Sequence, residues 1–452
     1  MMLQGEIVEL VELGYPIQQP DKQHEAIIET EIHTSEIPEM YRCFERLIDS
    51  KHWHNKVRLC KDAIKGNPLL DEYLRRENSI AFKLDQLGDL LKKYQKIPIH
   101  LIEDRSFYPA VRFAAQILSL IGMSSGAEAE RLRRRVHGAF RNPADMRGLC
   151  LELGAATHFT RRGKIIRWPE MDSTGTFDLL VEDIGNDGLE VECKSISSDK
   201  GRRIHQGEAI EFYALLKPRL KPFLDALNSG LCVVLTLPLR LPSLFKARQQ
   251  LSKEVAHAIL SGTDSTLSDG TTVRFKDFET HTLDLNISNV SVKKVRSKLN
   301  QISGTDNRSA IIIGSKKGGV LAFILQSQQD DSFLQTMFNT LSDAAKRQFS
   351  KKRASLLLTS LDGIDSDQLR SVGLQDRTVT EPPTALRVEV SKFLDSEERK
   401  HVVGVCFLAR DEFIEDGSTI QTGGATYYFH NPQSPYWSED MKELFGRMGS
   451  KA

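Results

Sequence analysis

The segment TFDLLVEDIGNDGLEVECKS, Thr176 to Ser195, sets one acid, Asp178, before a turn-rich connection and returns with Glu192, Cys193 and Lys194 in succession. Side chains on a strand alternate, so Glu190, Glu192 and Lys194 share one face while Val191 and Cys193 take the other. If Ile184 pairs with Gly188 around a three-residue loop, Asp178 stands opposite Lys194 and diagonal to Glu192. A two-residue loop would turn Asp178 to the other face unless a bulge corrected it. Two carboxylates held so close repel each other, and a hard divalent cation with oxygen ligands at about 2.0–2.1 Å relieves the repulsion. Magnesium keeps several waters and completes its shell with phosphate oxygens. A lysine alongside steadies an attacking hydroxide or the charge growing on a phosphate. Together these groups suit hydrolysis of a phosphodiester.

Elements on either side must hold that hairpin. PADMRGLCLELGAATHFTRRG reads as a helix, with Pro143 near its start and Gly163 after its end. KIIRW is a short strand, TFDLLVE and LEVECKS are the two arms of the hairpin, and DIGNDG is its turn. RRIHQGEAIEFYALLKPRL is a second helix, and the β-branched run GLCVVLTL is a buried strand. From Pro143 to Pro238 the order is helix, three strands, helix, strand.

These residues resemble the PD-(D/E)XK nuclease superfamily, the restriction-endonuclease-like fold. Its motif is an Asp at the start of one strand, then Glu or Asp, any residue, and Lys on the next. Phe177-Asp178 stands for the first part, with Phe where Pro is often found, and Glu192-Cys193-Lys194 for the second. The family core has the element order just given, and many members carry a metal-binding Glu on the first helix, where Glu152 falls. The resemblance implies an α/β fold with an αβββαβ core at residues 141–240; outside that core the patterning alone predicts a mainly helical N-terminal region at 1–140 and an additional C-terminal α/β region at 241–452. It implies magnesium, with manganese able to substitute, held by Asp178, Glu192 and Glu152, and Lys194 as the group that positions or activates water. DNA is the expected substrate ahead of RNA, and RNA stays open because the motif reads a phosphate and not a sugar. Members often serve in restriction, repair or antiphage defence. The alternative is an inert nuclease-like fold that binds nucleic acid or protein.

Glu152 adjoins the stripe Leu149, Leu153 and Ala156, so it either points toward the sheet or edges the core in water. Glu190 lies deeper toward the turn and reads as a solvated carboxylate. Arg161, Arg162 and Lys164 before the first strand, and Arg202 and Arg203 before the second helix, offer local positive charge to a nucleic-acid backbone. His205, Gln206 and Tyr213 are candidate substrate contacts on that helix; the competing reading has Tyr213 packed and Gln206 solvated. AEAERLRRRVHGAFRN, with Arg131, Arg133, Arg134, Arg135 and Arg141, is a basic helix that is either a solvated face or a phosphate-facing patch.

Elsewhere the chain is mainly helical from about Ser35 to Ala139. After Leu241 it alternates a helix at LFKARQQLSKEVAHAIL, strands at TTVRFKDFE and HTLDLNIS, a hairpin at SAIIIGSKKGGVLAFILQ, and further strands at ASLLLTSL and HVVGVCFLARDEF. GSKKGG lacks the spacing of a phosphate loop, and His52, His54 and Cys60 lack the paired spacing of a zinc site. Lysine plus arginine (61) equals aspartate plus glutamate (61), so no whole-chain positive field points to nucleic acid and a local patch must do so. Six scattered cysteines without a CxxC pair read as reduced thiols. With no apolar run near the roughly 20 residues of a membrane helix, the expectation is a cytoplasmic protein off the membrane. Paired cuts in a duplex would favour a homodimer, and control of the activity would call for a protein activator.

Overall fold

The computed structural model describes residues 35–94, 105–283, 292–304, 308–410, 414–416, 419–421 and 424–444. These gather into two compact units. The first takes the described residues up to Lys61, then Leu74–Ser198, and those from Thr336 onward; the second takes Asp62–Tyr73 and Asp199–Gln335. The expected core at 141–240 is therefore cut after Ser198, and the expected boundary near 240 falls inside the second unit.

The N-terminal helices are α1 (Ile37–Ile48), α2 (Lys51–Gly66), α3 (Asp71–Glu77), α4 (Ser79–Tyr94), α5 (Tyr108–Met123) and α6 (Gly126–Arg141). Helices α1, α2 and α6 meet around Trp53, fully buried, with Phe44 stacked on it at 5.5 Å and Phe140 tilted against it at 5.6 Å. Ser125 and Glu128 cap α6 reciprocally at its N-terminus, satisfying backbone N–H groups that the first turn leaves open. Helix α7 (Pro143–Thr160) begins where Asn142 accepts from the Ala144 N–H and Pro143 takes the first helical position, where a missing N–H costs nothing.

Then follow β1 (Ile166–Arg167), the short α8 (Pro169–Asp172), β2 (Leu179–Val181) and β3 (Leu189–Ile196), with α7 packed across all three strands. The chain next builds the second unit: α9 (Gln206–Ala226), β4 (Gly230–Leu237), α10 (Phe245–Ser261), β5 (Ser265–Thr266), β6 (Thr272–Phe278), α11 (Val292–Ser303), β7 (Arg308–Gly314) and β8 (Val320–Ser327). Its sheet runs β5-β6-β4-β8-β7, with α9 and α10 over the face carrying Val233, Leu235 and Phe323, and Leu299 of α11 on the face carrying Cys232 and Val234. The expected strand at HTLDLNIS is not found over its described part: Thr280–Leu283 is a 3-10 turn, and the remainder lies outside the described residues.

The first unit resumes with α12 (Phe333–Arg347), β9 (Ala354–Leu361), α13 (Ser366–Arg377), α14 (Ala385–Leu394), β10 (Val402–Arg410), a small β11 (Ile414–Asp416) and β12 (Thr419–Gln421) ribbon, and β13 (Gly424–His430). Its sheet runs β1-β2-β3-β9-β10-β13, parallel where β9 meets β3 and β10 and antiparallel elsewhere. Every residue of β9, ASLLLTSL, is buried, as a strand flanked on both edges and covered on both faces requires. The partner of β3 is thus β9. GLCVVLTL, expected in that place, is β4 and pairs with β6 and β8. Both are continuous apolar runs, and such a run carries no periodicity that names its neighbour. Among the described residues no helix is long and apolar enough to cross a membrane.

Candidate active site

Strands β2 and β3 pair as Leu179 with Val191, Leu180 with Glu190 and Val181 with Leu189. Extended by one residue, this register sets Asp178 opposite Glu192, two positions from the expected partner Lys194. A shift of two keeps every side chain on its face, so the acids still share a side. The register closes at Gly188, whose φ of 86° suits glycine and whose missing Cβ would stand 2.9 Å from the Val181 carbonyl oxygen.

Asp178 accepts the Cys193 backbone N–H on Oδ2 at 2.7 Å, which ties its carboxylate to β3. Glu192 Oε1 accepts from the Lys194 ammonium. From α7, Glu152 turns inward and accepts from Arg135 of α6, settling the open question of which way it points. Arg147, on the first half of α7, ion-pairs with Glu77 at 2.6 Å and with Asp362 at 2.7 Å. The Asp362 N–H in turn donates to the Ile196 carbonyl at 2.9 Å, so this end of α7 is pinned beside the end of β3. Glu152, Asp178 and Glu192 are 3, 6 and 1 % exposed, whereas the Lys194 side chain keeps 24 % of its surface in solvent.

Burial disfavours the ionised form of all three acids. Burial and then Asp178 push Glu152 well above the carboxylate range against the pull of Arg135. Asp178 is raised by burial, opposed by the Cys193 N–H and by Arg135. Glu192 is pushed up to about 8 by burial and by Asp178, despite Lys194. Glu152 Oε2 and Glu192 Oε2 are buried without a hydrogen-bond partner. These orphaned oxygens and the mutual repulsion are what a cation would relieve, and an all-carboxylate set suits a hard one. Among the described residues no three His, Cys, Asp or Glu side chains converge as a ready cage. Magnesium is commonly bound through one or two carboxylates with waters and phosphate oxygens making up the rest, which Asp178 and Glu192 fit.

Glu190 is not solvated: it is 1 % exposed and accepts from the Ser350 backbone N–H at 2.9 Å and from the Ser350 hydroxyl. Arg161, Arg162 and Lys164 are not gathered with the acids. Lys164 reaches Asp183 at 3.9 Å and Arg162 donates to the Glu443 carbonyl, beside the turn that begins β3. From Leu189 to Lys194 the strand advances about 16 Å at roughly 3.3 Å per residue, which puts these cations toward the opposite end. Arg202, Arg203, His205 and Gln206 belong to the second unit, where they shape the entry to α9. The Arg202 and Gln206 N–H groups donate to Asp199, the Arg203 N–H donates to Asp331 at 2.9 Å, and His205 faces Glu208 at 3.9 Å. Tyr213 packs edge-on against Phe323 and donates to the Ser309 carbonyl, in line with the packed reading.

Two residues escaped the motif. Arg135 spans Glu152, Asp178 and Glu170, so the basic helix is neither merely solvated nor a phosphate patch at this position. Its signal was its spacing from Leu132 and Ala139, both buried, which sets it on the edge of the apolar stripe. Thr359 of β9 lies beside Lys194 in parallel register, fully buried, with its hydroxyl unpartnered. No local signal could reveal it, because it depends on which strand joins β3. In comparison with known proteins, the chain matches no family model, no curated protein and no solved structure.

Proposed function

We propose that this chain is a metal-dependent nuclease, with DNA as its preferred substrate, that hydrolyses phosphodiester bonds beside the end of β3. The observation that carries the reading is the buried pair Asp178, one residue before β2 and tied to β3 through the Cys193 N–H, and Glu192 of β3, with the Lys194 ammonium on Glu192 and an oxygen of Glu192 left unsatisfied. The element order supports it further. With the second unit and the one-turn α8 between β1 and β2 passed over, α7, β1, β2, β3, α12 and β9 follow one another as helix, three strands, helix and strand, the sequence of elements in the PD-(D/E)XK nucleases, with β9 parallel to β3.

Asp178 and Glu192, with Glu152 assisting, would hold magnesium or manganese, which supplies polarisation of phosphate oxygens and of a bound water. The chain's own part is positional. The Cys193 N–H fixes one oxygen of Asp178, leaving the other facing the site. Lys194, partly exposed, holds its ammonium where a water or a phosphate oxygen reaches it, and stabilises the negative charge that develops there. Arg161, Arg162 and Lys164 suit contacts with the nucleic-acid backbone away from the bond that is cut.

The test uses purified wild-type protein and the Asp178→Ala and Lys194→Ala variants on supercoiled plasmid, linear DNA and RNA, with magnesium, manganese or EDTA. Metal-dependent cutting by the wild type that both variants lose is the expected result. Absence of wild-type cutting on every substrate would move the assignment to a nuclease-like binding module.

A further inference from the structure

Arg135 lies outside the nuclease motif, yet it makes more contacts with the acids of the site than Lys194 does. Its Nη2 donates to Glu152 Oε1 and lies 3.8 Å from Asp178 Oδ1, and its Nη1 stands 3.5 Å from Glu170 Oε2. The oxygens it neutralises are among those that a divalent ion at Asp178 and Glu192, assisted by Glu152, would need. The arginine and the ion compete for atoms, not only for charge.

The surroundings give the guanidinium somewhere to go. Glu170 is on α8, its side chain 41 % exposed, and faces the other edge of the guanidinium. One helical turn earlier, Arg131 donates to the Met171 carbonyl next to Glu170, which latches α6 to α8 and keeps Arg135 within reach of Glu170 whatever it does at the other acids. The free Oε2 of Glu152, buried and unpartnered, remains an open ligand position while Oε1 is occupied.

We infer that Arg135 is a placeholder for the metal: it holds Glu152 and Asp178 together in the metal-free protein and withdraws onto Glu170 when a divalent ion binds. Glu170 is then a positioning residue that acts only through Arg135. The inference rests on the nuclease reading and makes a demand that simple charge balance does not. If Glu170 merely adds negative charge, removing it weakens metal binding equally with or without Arg135. If it receives Arg135, removing it matters only while Arg135 is present.

The experiment is a calorimetric titration of manganese into the full-length wild type, Asp178→Ala, Arg135→Gln, Glu170→Gln and the Arg135→Gln/Glu170→Gln double variant, with thermal melting as a check on folding. The wild type should bind manganese and Asp178→Ala should not. Arg135→Gln should bind tighter by on the order of tenfold, and Glu170→Gln weaker by a similar factor. In the double variant the Glu170 substitution should have no further effect. Unchanged or weaker binding by Arg135→Gln, or equal effects of Glu170→Gln in both backgrounds, would overturn the placeholder role while leaving the metal site standing. Loss of manganese binding in every protein would overturn both readings. Should Arg135→Gln fail to fold without metal, Arg135→Lys serves instead. It keeps a charge but cannot bridge Glu152 and Glu170 at once, and it should also bind manganese tighter than the wild type.

Discussion

Each unit of this molecule has a parallel strand pair inside its sheet, β3 with β9 in one and β4 with β8 in the other, and the two pairs are filled differently. In the second unit the pair is apolar on both faces until its end, where Gln326 donates to Thr236 at 2.9 Å. In the first, Glu190, Glu192, Ser355 and Thr359 are all buried within the corresponding pair. Burying a carboxylate is costly unless its oxygens are met, so a sheet that does it requires compensation. Glu190 and Glu192 divide that requirement. Glu190 has both oxygens met by Ser350 and so is part of the framework, whereas Glu192 keeps an empty oxygen and a lysine. Burial marks both residues, and incomplete satisfaction singles out one.

The contrast is sharpest in cutting rate. Lys194→Ala should lower metal-dependent cleavage by about a hundred- to a thousandfold, whereas Thr236→Ala, in the other pair, should leave it unchanged in the same plasmid assay. In stability the order reverses. Phe323→Ala in the apolar pair should cost about 3–5 kcal/mol in urea unfolding, with cleavage retained below the transition, because it removes a ring buried against Tyr213. Glu190→Gln should cost about 1.5–3 kcal/mol, the range for hydrogen bonds to a charged group. Glu192→Gln should cost less or add stability, and equal losses at the two positions would erase the distinction drawn within β3.

The last contrast is in pH. A carboxyl raised from 4.5 to about 8 by folding stabilises the protein while it stays protonated, and that contribution is lost as pH climbs toward 8. Without metal, the melting temperature should therefore fall between about pH 5 and pH 8, and Glu192→Gln should flatten this slope. A slope of the same steepness in the variant would assign it to other groups.

Local patterns carried much of this. The helix over α7, the arms of the hairpin and the shared face of Asp178 and Glu192 follow from periodicity and turn chemistry, which act over a few residues. The exact partner of Asp178 did not, because the length of the turn ending at Gly188 decides it and two residues of slippage leave the alternation intact. Arg135 needed the packing of α6 against α7, and Ser350 against Glu190 needed the return of the chain after the second unit. The strand beside β3 was misplaced for the same reason: β4 follows it more closely in sequence, and only tertiary structure selects β9.

That return also has a consequence in time. The strand pair that encloses Glu192 joins residues more than 150 positions apart, so its closure is a high-contact-order step that must wait for the intervening polypeptide. On the ribosome, β1, β2 and β3 emerge without the strand that buries them, and Glu192 stays hydrated until Ala354–Leu361 has been made. Nascent or proteolytically shortened chains ending before Ala354 carry Asp178, Glu192 and Lys194 yet lack the strand that encloses them on the far side of β3.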